Sequence, residues 1–194
     1  FEKALGFYKN LEISSDNELN ILHSIKGQMN CAWFLKKYDD AISAANKILQ
    51  FPKSDNHLKA DAGFILAKSA MEKENLSLAK EYFEKVVTLS ADEKGAESKY
   101  LLATIQFRQK NYQKAEDLVF ELADEFSSYE YWKASGFILL ADIYSATGNT
   151  FQAKQTLQSI IENYPGDDLK KVASQKLDAI VGNEKTSIET DENK

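Results

Sequence analysis

An alanine returns along this chain at positions 4, 41, 79, 115 and 153, at intervals of 37, 38, 36 and 38 residues. Each keeps similar company, a bulky residue three before it and apolar residues four and seven after it. The series reads Phe1/Ala4/Tyr8/Leu11, Tyr38/Ala41/Ala45/Ile48, Leu76/Ala79/Phe83/Val86 and Tyr112/Ala115/Val119/Leu122. It closes with Thr150/Ala153/Leu157/Ile160, where a threonine replaces the bulky residue. A sustained period of roughly 20–50 residues is the mark of stacked supersecondary units, none of which can bury its apolar side alone. A single closed core is thereby excluded, and an elongated surface without a reaction centre is the expected product.

Within each period the spacing of apolar residues is helical, and two helices fit. The first carries apolar residues as in Tyr100, Leu101, Ala103, Thr104 and Phe107, and ends at a polar turn such as Lys73-Glu74-Asn75 or Thr147-Gly148-Asn149. The second starts at once, as in 112–126. Three Ser-x-x-Glu strings, at 15–18, 90–93 and 127–130, read as capping boxes that start first helices. We expect a half-repeat at 1–13, then helix pairs at about 17–36/38–50, 55–73/75–89, 92–109/112–126 and 129–147/150–163, and a last helix over 168–181. Together these make 1–181 one domain. The stripe Leu169, Val172, Leu177 and Ile180, with Lys170, Lys171 and Lys176 elsewhere on the surface, makes the last helix a cap. Residues 182–194 carry one large apolar side chain and are expected to be a disordered tail.

Three first helices share a Leu-small pair, Leu66-Ala67, Leu102-Ala103 and Leu140-Ala141, each alanine 12 residues ahead of the alanine of the second helix. Two such residues, one per helix, let the axes approach at the short end of the ~8–10 Å packing range. This arrangement resembles the tetratricopeptide repeat family over about residues 1–165. It implies an all-α, right-handed solenoid of antiparallel helix pairs. The chain departs from the family pattern at Gln28-Met29, where Leu-small is expected, in lacking the Trp-rich start, and in a period longer than the usual ~34 residues. Helix-stopping Phe51-Pro52 and Tyr164-Pro165, together with the acidic balance, are similar to repeat proteins of bacterial cell envelopes. The periplasm or envelope is the compartment that likeness favours, with the cytoplasm as the alternative.

The resemblance also implies a function, a non-catalytic adaptor that holds a peptide or helix against its first helices. The family's groove positions fall here on Lys26, Asn30 and Trp33; on Asp61, Phe64, Lys68 and Met71; on Glu97, Tyr100, Thr104, Phe107 and Arg108; and on Ile138 and Asp142. For Trp33, Phe64 and Phe107 the other reading is packing between neighbouring repeats. Lys26 and Asn30 match the opening pair of the clamp that some relatives close on acidic C-terminal tails. Ile65, Glu97 and Leu101 stand where that clamp needs asparagine and basic residues, so an acidic-tail receptor is not expected. The opening second-helix pattern lacks a first helix before it, from which we expect further repeats upstream or end-to-end self-association. A purely structural array segment, or a regulatory module of an enzyme in a longer chain, are the alternative functions.

Other chemistry finds little support. The net charge of −6 opposes nucleic-acid binding, and no apolar run approaches the ~20 residues of a membrane span. His23 and His57 lie 34 residues apart without the converging ligands a metal site needs. Acidic pairs such as Asp39-Asp40 and Asp167-Asp168 stand at helix starts, where the helix dipole accounts for them. Neither a phosphate loop nor a nucleophile elbow is present, so no cofactor and no catalytic residue is expected. Cys31 lies in an apolar helical stretch and reads as a small core residue.

Overall fold

The computed structural model describes the backbone of residues 1–192 and the side chains of 1–182. Among the described residues there are ten α-helices and no strand. They are α1 (Glu2–Ser14), α2 (Glu18–Phe34), α3 (Tyr38–Gln50), α4 (Asn56–Glu72), α5 (Leu76–Leu89), α6 (Glu93–Arg108), α7 (Tyr112–Glu125), α8 (Glu130–Ala146), α9 (Thr150–Asn163) and α10 (Asp167–Glu192). The chain forms two compact units, Phe1–Leu102 and Ala103–Lys194, whose boundary falls inside α6. In the first unit α1 to α5 pack consecutively, and α2 also touches α4. In the second, α7 to α10 pack in the same consecutive way, and α8 touches α10. The fold is all-α and of helix-pair repeat type.

The recurring alanines mark the crossings. Ala41, Ala79, Ala115 and Ala153 are fully buried, as are Ala67, Ala103 and Ala141 on the first helices. Met29 takes the same place in the first complete pair and is also fully enclosed. A second set of small residues lies five positions earlier on the first helices: Ser24, Ala62, Ser98 and Gly136, all buried. At Ala62 and Gly136 the first helix meets the second helix of the preceding repeat. A Cβ on Gly136 would lie 3.0 Å from Leu122 Cδ2 of α7. The core of the first unit runs through Leu22, Ile25, Met29, Ile48 and Leu66; that of the second through Ile138, Leu157, Ile160 and Leu169.

The turns repeat as closely as the crossings. Lys36, Glu74, Lys110 and Gly148 each stand five residues before the crossing alanine and each has positive φ, between 57° and 81°. The amide of the next residue donates back to the carbonyl five before it, as in Lys37 N to Ala32 O at 2.9 Å and Asn149 N to Tyr144 O at 2.8 Å. This is the left-handed helix ending that satisfies orphan carbonyls. Only at Gly148 is the residue free of the left-handed steric penalty. Phe51 and Tyr164 end their helices in extended backbone, as the following prolines require. Ser54 Oγ then donates 2.6 Å to the Ile48 carbonyl, satisfying a buried acceptor at the end of α3.

Two local expectations are corrected. In each Ser-x-x-Glu string the helix starts at the glutamate, not after the serine. Asn17 caps α2, its Oδ1 accepting from Leu19 N at 2.9 Å and Asn20 N at 3.2 Å. Asp92 does the same for Lys94 N at 2.8 Å, and Ser90 Oγ donates to that carboxylate. Tyr129, ahead of α8, offers no side-chain cap. The other difference is at the C-terminus. Helix α10 continues through Gly182 to Glu192, where a disordered tail is expected from composition; no proline stands in that stretch to stop it. Residues 193–194 lie outside the described residues.

Candidate partner-binding face

The first helices place their candidate residues one and two turns apart, so that charges on successive helices meet. In the first unit Asp61 of α4 is the node. Its side chain is 14% exposed and takes Lys26 of α2 at 3.2 Å, Lys94 of α6 at 3.2 Å and His57 Nδ1 at 3.8 Å. Burial opposes the Lys94 charge, but hydrogen bonding and attraction from Asp61 and Asp92 outweigh it and hold Lys94 above the ordinary lysine value. Two turns along the same face of α4, Lys68 pairs with Glu97 at 2.8 Å. Its ammonium also stands 5.6 Å from the Trp33 ring centre and 5.1 Å from that of Phe64, within cation–π range. The charges of this face are thus paired among themselves.

Between the paired charges Asn30, Trp33 and Met71 remain half-exposed. Trp33 leans on Tyr38 of its own repeat with ring centres 5.6 Å apart. Phe64 does not join them. It is 9% exposed and meets Phe83 of α5 edge-on at 6.2 Å, so it is a core residue. Tyr100 is half-buried and already engaged in contacts.

In the second unit Thr104 is half-buried and engaged, Phe107 packs on Tyr112 at 5.8 Å, and Arg108 is exposed. Ile138 is 6% exposed and belongs to the core. Asp142 takes Lys176 of α10 through both carboxylate oxygens, at 2.7 and 2.9 Å. The sequence reading missed Lys94, His57 and Lys176 as partners of its candidates. A signal was present. Lys26–Asp61, Lys47–Glu12 and Lys37–Glu2 are 35 residues apart, and Lys176–Asp142 and Lys73–Asp39 are 34 apart. Opposite charges a few residues short of one repeat apart find each other.

Cys31 is buried and free. Among the described residues no group of His, Cys, Asp or Glu could hold a metal ion, and no helix is long and apolar enough to cross a membrane.

Models described as tetratricopeptide repeat match residues 60–93, which hold most of α4 and all of α5, and 137–167, which hold the C-terminal part of α8 and all of α9. These are tetratricopeptide repeats. Solved structures of the same architecture include that of YrrB, described as a TPR protein with an unusual peptide-binding site. It is 19% identical over 90% of this chain and 83% of its own, with a TM-score of 0.66. BtubC from P. vanneervenii is 17% identical over 99% of this chain and 92% of its own, also at 0.66. MamA is 19% identical over 83% of this chain and 96% of its own, at 0.58. At these identities the likeness is one of fold. No curated protein matches the chain in sequence. Tetratricopeptide repeats are protein-interaction modules, and that is the class of work this repeat chain has.

Proposed function

We propose that the chain is a non-catalytic adaptor that holds a peptide or helical segment against the first helices of the first unit. The observation that carries this reading is the half-exposed set Asn30, Trp33 and Met71, framed by charges that already neutralise one another. A rigid aromatic ring and a deformable thioether offer large contact area at small entropic cost. The Asn30 amide can both donate to and accept from a ligand backbone. An acidic or basic tail would have to displace an internal partner from Lys26, Lys68 or Asp61, so the face favours an apolar anchor over a charged one. The cell-envelope setting belongs to this reading through the sequence resemblance alone.

The test is capture of a partner on the immobilised chain, followed by Asn30→Ala and Met71→Ala, which remove contacts without opening the core. Loss of at least ~10-fold in affinity, about 1.4 kcal/mol, supports the face. Binding that survives both changes and disappears with Phe120→Ala, an exposed ring on α7, places the site elsewhere.

A further inference from the structure

The end of α9 differs from the end of α7. Phe126, the counterpart of Tyr164 at the same distance from its crossing alanine, is 5% exposed and packs on Tyr129 with ring centres 6.3 Å apart. Tyr164 instead stands in extended backbone ahead of Pro165 and is half-exposed. A cavity of about 220 Å³ opens beside it, between the start of α8 and the end of α9. Its apolar wall is Ala134, Phe137, Ile160 and Pro165. The volume falls below the ~300 Å³ at which small-molecule pockets begin, and suits one long side chain.

The mouth of this cavity is acidic. Glu130, in the first turn of α8, lines it, and its exposed carboxylate has no ion-pair partner among the described residues. Asp168 of α10 comes close to the Tyr164 ring. A Cβ on Gly166 would lie 2.7 Å from Asp168 Oδ1 and 2.8 Å from Tyr164 Cε1, so a side chain there would push the two apart. The Tyr164 phenol is raised above its ordinary value by burial first, then by Asp168, Tyr131 and Glu130, so both carboxylates bear on the same ring. Two other polar groups of the wall are turned to the backbone. Lys133 Nζ donates to the Ser127 carbonyl at 3.2 Å, and Asn163 Nδ2 to that of Ser159 at 3.0 Å.

An apolar slot with two carboxylates and a phenol ring at its mouth matches a side chain with a long aliphatic stem and a cationic end. We propose that the cleft between α8 and α9 holds a lysine or arginine side chain of a partner segment. Its stem lies along Phe137 and Ile160, and its cation sits between Glu130, Asp168 and the Tyr164 ring. A neutral anchor would leave both carboxylates unused, and an acidic one would be repelled by them. The site is built from α8, α9 and the first turn of α10, and does not depend on the first-helix face of the first unit.

The experiment titrates the isotope-labelled full chain with a blocked Gly-Lys-Gly peptide and reads its amide shifts. Saturable shifts are expected over 130–134 and 164–168. The same peptide acetylated on the lysine Nε keeps the stem and loses the charge, and should bind ~5-fold more weakly or worse. Glu130→Gln with Asp168→Asn should weaken the lysine peptide to that level; both side chains are exposed, so the fold is kept. Lys133→Ala should leave its binding unchanged or tighten it. Asn30→Ala and Met71→Ala should leave it untouched, which separates a failure here from a failure of the first-helix face. Equal binding of the acetylated peptide, or no shift over 130–134 and 164–168, overturns the inference. A Gly-Glu-Gly peptide that moves the same amides, and that Lys133→Ala abolishes, overturns it in favour of an anionic occupant.

Discussion

Replacing the crossing alanines by leucine tests the packing argument. Ala79 and Ala153 are fully buried, and each faces a first helix whose own residue at the crossing, Ala67 or Ala141, is at most 1% exposed. Leucine adds three carbon atoms where neither side has a void to receive them. Overpacking of this kind costs roughly 1–3 kcal/mol. At about 2 kcal/mol the melting temperature of a chain this long should fall by about 4–8 °C. Stacked repeats unfold locally as well as globally, so amide exchange is the sharper assay. Ala79→Leu should speed exchange in α4 and α5 first, and Ala153→Leu in α8 and α9. Ala179→Leu on α10, at an exposed position, is the control and should do neither. Crossing variants that melt and exchange like the control would refute the assignment of these alanines to close helix contacts.

Three further outcomes follow from the same structure. Gly148 has φ of 81°, so Gly148→Ala should destabilise by about 1 kcal/mol in denaturant titration, and Lys110→Gly, at φ of 61°, should stabilise by less. Burial opposes the Glu12 carboxylate, but hydrogen bonds from Lys47 and Gln28 and the Lys47 charge outweigh it and hold its carboxyl below the ordinary 4.5. A depressed folded value gives stability that is full above the ordinary value and is lost as pH falls through the folded one. Glu12→Gln should therefore lower stability at neutral pH and converge with the parent chain in acid, as thermal melts over pH will read. Partner binding to the first helices should change little between low salt and about 0.5 M salt, because the charges on that face are spent on one another; a steep dependence in a titration series would contradict that.

The helix-pair fold was legible because steric demand repeats. An alanine that must be small at each crossing shows in sequence whatever the neighbours are. The left-handed turns were less legible, since Lys36, Glu74 and Lys110 bear no glycine to announce them. Capping was misread by two residues because Asn17 and Asp92, not Ser15 and Ser90, accept from the first free amides. Among the candidate site residues, Phe64 and Ile138 turned out to be core. Each follows closely on a glycine, Gly63 or Gly136, where a neighbouring helix comes in tightly: Val86 Cγ2 lies 3.1 Å from a Cβ placed on Gly63. That approach encloses side chains which spacing alone leaves on the open face. Nor does spacing show that Asp61 is shared by two lysines on two different helices, which only the stagger of α2, α4 and α6 brings about.

Amide exchange of the chain with and without its captured partner addresses the functional reading most directly. The account predicts new protection over 26–33 of α2 and 61–71 of α4, where Asn30, Trp33 and Met71 lie. Protection confined to the second helices α3 and α5, with α2 and α4 unchanged, would contradict it.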